Sequence, residues 1–222
     1  MKAIFAIIFL TSGLLGFAQN DYCTHYTTDQ FFNLPEALEP IDLNNPNIAL
    51  IEAAVFHAAN GQRAKHGKPI LSYNYELSVA ALGHSQEMKE KNFFNHINSR
   101  NASNKTFMDR IALSGATFNT TGENLSKMDM MATTKKDFRY FTQLNNGKYE
   151  YYVDASSNKQ LGVNTYASYG RKVIHYLMRS KGHRANLLET KFTHQGIGIT
   201  IIHNSRLTKE LPKAYMTQNF GG

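Results

Sequence analysis

The spacing of apolar residues changes along this chain, and that change limits its fold more than any other feature. Ile48, Ile51, Val55, Ala58 and Ala59 keep helical spacing, as do Leu77, Ala80, Ala81, His84 and Met88. Val173, Ile174, Leu177 and Met178 form a third such stripe. Near the end the period falls to two. Ile197, Ile199 and Ile201 alternate with other residues, which predicts a strand over 195–203 with one face buried. Residues 214–220 read as a second strand, and the turn-rich 204–213 joins the two as an antiparallel hairpin. Helices that bracket a small, largely antiparallel sheet make an α+β chain, a three-layer α-β-α sandwich.

Punctuation sets the element limits. Asn44-Asn45-Pro46-Asn47 supplies caps for a helix over 47–66, stopped by His66-Gly67-Lys68-Pro69. Further helices are predicted over 75–92, over 106–113 before Ser114-Gly115, over 132–141, and over 169–180 with Gly182 as its stop. Gly122 to Leu125 opens a brief strand or turn. Residues 140–144 and 148–153, rich in Tyr, Phe and Thr, flank Asn145-Asn146-Gly147 as a β-hairpin. Residues 154–168 read as a loop. The polar stretch 19–46, with Pro35 and Pro40, reads as an extended arm ahead of a domain at 47–222.

The N-terminus addresses the chain. Lys2, an apolar run from Ala3 to Leu10, and the small-x-small Gly16-Phe17-Ala18 make a signal peptide over 1–18, cleaved near Ala18. The run is shorter than the roughly 20 residues a membrane span needs, so the expected destination is secreted or periplasmic. The single cysteine, Cys23, cannot form an internal disulfide, so the core must carry the stability. The net charge of +7 is unevenly spread: residues 20–60 hold six acids and no Lys or Arg, whereas 171–213 hold nine Lys or Arg and two acids. That basic region offers contact with an anionic surface, but no long Lys/Arg run or aromatic ladder supports specific nucleic-acid binding.

Three short polar clusters carry the chemistry: Phe94-Asn95-His96, Gly122-Glu123-Asn124 and Gly182-His183-Arg184-Ala185-Asn186. Two imidazoles and a carboxylate suit a divalent cation or acid–base work. Around them stand Asn60-x-x-Arg63, Asp109-Arg110-Ile111, Phe192, Gly196-Ile197-Gly198 and Met216-Thr217-Gln218-Asn219-Phe220-Gly221. In this order the set, covering about 48–221, resembles the bacterial CAP domain, the superfamily of cysteine-rich secretory proteins, antigen 5 and pathogenesis-related proteins.

The resemblance implies a secreted sandwich with a cleft where two His and two Glu can hold a divalent cation such as Zn. Carried over by motif, these are His96, Glu123 and His183. The remaining Glu has no match, and Ser180 stands near the second His motif instead. Asn124, Arg184 and Asn186 are expected to support the cleft, with Arg63 and Arg184 as partners for buried acids. Residues 126–168 exceed what the junction needs and read as an insertion near the cleft or as an edge extension of the sheet. The remaining histidines, among them His57, His66 and His84, carry no motif and read as structural or surface residues.

Two functions follow, beside a third in which the basic C-terminal region adheres to the cell envelope. The first is a binding or interaction module for a lipid, glycan or protein partner, with a cation at the cleft. The alternative is a metal-assisted hydrolase with Glu123 as its base and His96 and His183 as metal ligands. Nucleophilic catalysis finds no footing: there is no Gly-x-Ser-x-Gly elbow, no His-Glu-x-x-His, and Cys23 lies outside the resembling region.

Overall fold

The computed structural model describes residues 20–132, 140–145, 148–154, 157, 159–202 and 211–222, with side chains of 140–145 and 148–153 excepted. The signal segment 1–18 and most of the 204–213 turn lie outside the described residues, as do 133–139 of the expected helix at 132–141.

Three short helices come first: α1 (Asp21–Thr24), α2 (Thr28–Phe31) and α3 (Pro35–Leu38). This overturns the extended arm. Phe31 is fully buried in the main core and stacks on His57 at 4.6 Å between ring centroids. Cys23 and Ala37 are buried there too. A capping box of Thr27 with Gln30 starts α2, and Pro35 occupies the first turn of α3, so local signals for helix were present.

Helix α4 (Ile48–Lys65) starts where Asn47 accepts the Leu50 N–H at 3.2 Å. Gly67, at φ 65°, turns the chain away in the left-handed region. Then follow β1 (Ser72–Tyr73), α5 (Tyr75–Glu90), α6 (Phe107–Leu113), β2 (Thr121–Asp129), β3 (Tyr140–Asn145), β4 (Lys148–Asp154) and β5 (Lys159–Leu161). The chain closes with α7 (Tyr166–Arg179), α8 (Lys181–Leu188), β6 (His194–Ile202) and β7 (Lys213–Gly221).

The main sheet runs β1-β6-β7-β2, antiparallel except for the short parallel pair β1/β6. Strand alternation divides its faces. Ile197, Ile199 and Ile201 share a core with Ile51, Val55, Val173 and Ile174 of α4 and α7. The intervening Gly196 and Gly198 meet α5: a Cβ on Gly198 would lie 2.0 Å from the Leu82 backbone nitrogen. Strand β6 is therefore buried on both faces, not one. The glycines hid the second face from a hydrophobicity pattern, because they are buried by backbone approach and not by side-chain bulk. Helices cover both sides, and the three-layer α+β sandwich holds.

The hairpin at 140–153 forms, pairing β3 with β4, and β5 adds a third strand. Tyr140 and Phe141 are thus strand residues, not the end of a helix. The three strands make a sheet of their own, which corrects the edge-extension reading. Residues 126–129 belong to β2, and the excursion is closed by the Met131/Val163 bridge.

Candidate functional site

The site gathers at β2, the edge strand of the main sheet. Glu123 and Asn124 are consecutive there, so their side chains leave on opposite faces. Glu123 meets the loop that follows α5, and Asn124 meets α8.

On the first side, Glu123 is buried, its side chain 1 % exposed. Arg110 of α6 donates to Glu123 Oε2 at 2.7 Å, and its own side chain is 3 % exposed. The other carboxylate oxygen, Oε1, lies 2.8 Å from His96 Nδ1. Arg110 also donates to the carbonyls of His96 (3.1 Å), Asn104 (3.2 Å) and Lys105 (3.3 Å). One guanidinium thus fixes both the acid and the loop that presents His96. That loop has further anchors. Buried His84 bonds the Asn95 carbonyl at 3.0 Å through Nε2. Glu87 accepts from Asn98 (2.7 Å), Asn104 (2.9 Å) and Lys91 (2.6 Å); against the opposing effect of burial, Lys91, Asn101 and Asn104 hold its carboxyl below the usual range.

On the second side, Asn186 donates to the Glu123 carbonyl and to Asn124 Oδ1, each at 3.0 Å. Asn124 donates to the His183 carbonyl and to Gln218, each at 3.3 Å. The two asparagines tie α8 to β2 and so place His183. Gly122 is needed for the same docking: a Cβ there would lie 2.7 Å from the Phe192 ring.

His183 lies in the first turn of α8, which corrects the expected helix stop. The break falls at Ser180, which leaves helical geometry at ψ 124°. Gly182 is not in the left-handed region, and α8 runs on through it. Partial burial, then the nearby His96 charge, lower the His183 pKa, which favours its neutral ring. His183 thus senses the charge of His96, and Glu123 bonds the His96 ring. The His96 side chain is 46 % exposed.

Other expected roles change. Ser180 joins α7 to α8 and its side chain caps neither. Arg184 is exposed, its nearest polar partner being His66 Nε2 at 3.5 Å. Arg63 is fully buried but binds the carbonyls of Pro69 (2.7 Å), Leu187 (2.9 Å) and Glu189 (2.8 Å). Among the described residues neither Arg63 nor Arg184 pairs a buried acid; Arg110 does. Its only sequence signal was its place in Asp109-Arg110-Ile111, beside the Thr106/Asp109 capping box.

As placed, the trio is not a three-ligand metal centre. Both Glu123 oxygens are committed, and no group of three His, Cys, Asp or Glu among the described residues is arranged to hold a metal. The donors fit a cation in a narrower way. A carboxylate held at Nδ1 orients the ring with Nε2 turned away from it, the arrangement seen behind metal-bound histidines. His96 Nε2 and the His183 ring would be the ligands, with Glu123 behind His96.

Residues 56–220 match the model of the cysteine-rich secretory protein family, and the chain belongs to that CAP family. Curated relatives in Bacillus subtilis include the uncharacterized membrane protein YlbC, 27 % identical over 76 % of this chain and 34 % of its own length. Another is the uncharacterized protein YkwD, 27 % identical over 68 % of this chain and 43 % of its own. The chain thus spans less than half of either relative. Among solved structures, an extracellular protein containing an SCP domain from Bacillus anthracis gives a TM-score of 0.48 at 22 % identity, covering 77 % of this chain and 39 % of the other. An outer surface protein from Borrelia burgdorferi gives 0.46 at 14 % identity, covering 75 % and 89 %. No helix among the described residues is long and apolar enough to cross a membrane.

Proposed function

We propose that this chain is a secreted or periplasmic binding module whose recognition point is the His96/His183 pair, able to take a divalent cation such as Zn. The supporting observation is the Glu123 clamp: Arg110 holds one carboxylate oxygen and His96 Nδ1 the other. The clamp orients one imidazole at low entropic cost and leaves Nε2 for a ligand. A bound cation would supply a Lewis-acidic point with open positions for a partner's oxygen atoms. Exposed Arg179 ends α7, Lys181 and Arg184 lie with His183 on α8, and Lys191 follows it. They favour an anionic group on the lipid, glycan or protein partner.

The hydrolase reading has less support. Glu123 is a positioning residue in this arrangement, since a general base needs a free lone pair within reach of the proton it takes.

Metal analysis of purified protein tests the proposal. Equilibration with Zn²⁺ and gel filtration should leave about one metal per chain. His96→Ala/His183→Ala should retain none, and Glu123→Gln should lose roughly 10- to 100-fold in affinity. Equal retention by wild type and the double variant would refute the assignment.

A further inference from the structure

The opposite edge of the main sheet holds a second site. Strand β1 pairs with β6 only at His194 and Gln195. Beyond it, two of the N–H groups of β6 are taken by side chains. Ser78 Oγ accepts from Ile197 N at 3.0 Å, and Glu52 Oε1 accepts from Ile199 N at 3.2 Å. An added strand would find those donors engaged, which argues against strand addition as the use of this edge.

What the edge offers instead is an open pocket of about 620 Å³, between α1, the start of α4, β1 and one face of α5. Tyr22, Tyr73, Tyr75, Val79 and Leu82 give it aromatic and aliphatic walls. Its charged lining residues are Asp21 and Glu52; no Lys, Arg or His lines it among the described residues. Glu52 has no ion-pair partner among them, although burial drives its carboxyl up to about 7 against the Ile199 and Asn20 hydrogen bonds. Glu52 is half-buried, and a carboxylate largely withdrawn from water without a cation is an unfavourable arrangement that a cationic ligand relieves. Tyrosine faces attract the same kind of ligand. The size falls in the range of small-molecule sites.

We propose that this pocket binds an organic ammonium ion with an apolar body, its charged head at Glu52 and its body among Tyr22, Tyr73 and Tyr75. An apolar acid is disfavoured by the acidic lining, and a neutral molecule gains nothing from Glu52 beyond one hydrogen bond.

Calorimetric titration of the purified chain at pH 8 tests this with three matched probes: 2-phenylethylammonium, 2-phenylethanol and phenylacetate. The ammonium should bind at least tenfold more tightly than either of the others. Glu52→Gln should cut that preference at least fivefold. Val79→Trp, which fills the pocket from a residue 41 % exposed, should abolish binding with the circular dichroism spectrum unchanged. His96→Ala should bind as wild type does, which separates this pocket from the histidine pair. No measurable ammonium binding, equal binding of the three probes, or binding unaffected by Val79→Trp would overturn the proposal.

Discussion

Replacing Arg110 by Met should be among the most damaging single changes in this protein. The side chain is 3 % exposed and sits 2.7 Å from a carboxylate that is 1 % exposed. Removing one partner of a buried pair typically costs about 3–5 kcal/mol, because the other charge stays buried without compensation. Here the His96, Asn104 and Lys105 carbonyls lose a donor as well, which places the change toward the upper part of that range. For a chain of this length such a loss lowers the midpoint by roughly 6–20 °C. Urea unfolding at pH 7, followed by far-UV circular dichroism, reads it directly. The companion variants are Glu123→Gln and the double variant. If the two groups act as a pair, the double variant should be less destabilised than the sum of the singles by about 1–3 kcal/mol. A loss under about 1 kcal/mol for Arg110→Met, or strict additivity in the double variant, would refute the claim that this pair organises the site.

Three further outcomes follow. Gly198→Ala places a methyl within 2.0–2.4 Å of α5 backbone atoms, so it should cost at least about 3 kcal/mol, as for severe overpacking, or abolish soluble expression. Glu52 should give stability a downward slope with rising pH: its folded pKa is about 7 against 4.5 unperturbed, so the folded state holds the proton more tightly. Its stabilising contribution is full below about pH 4.5 and is lost as pH rises through about 7, while burial keeps neighbouring Cys23 and Tyr73 neutral there by raising both. Glu52→Gln should flatten that slope in urea titrations from pH 5 to 8 and be the more stable protein at pH 8 by up to about 3 kcal/mol.

Much of the fold was legible because helix and strand periods persist where one face meets a core. The stripe from Ile48 to Ala59 and the alternation at Ile197, Ile199 and Ile201 located α4 and β6 to within a residue or two. What was not legible depended on contacts between distant segments. The 19–46 stretch is short, polar and proline-marked, and its helices hold together because Phe31 finds His57 and the α4 core. Gly182 looked like a stop because glycine ends many helices, yet the chain breaks at Ser180 and α8 starts anew. Within the site, the motifs named His96, Glu123, Asn124, His183 and Asn186, but no spacing rule joins Arg110 to Glu123. Their pairing is made by the packing of α6 against β2. Glu52 carried no signal, since a lone acid on an amphipathic helix ordinarily faces water.

The most direct test of the central claim is the ¹⁵N spectrum of the imidazole nitrogens, recorded at pH 7.5 with and without Zn²⁺. The account predicts a His96 ring protonated at Nδ1 before metal is added, with Zn²⁺ then shifting Nε2 of His96 and one ring nitrogen of His183 together, at a single stoichiometry. In Glu123→Gln the His96 tautomer preference should weaken and the shift should need more metal. A His96 ring protonated at Nε2, or a Zn²⁺ response confined to the other histidines, would contradict it.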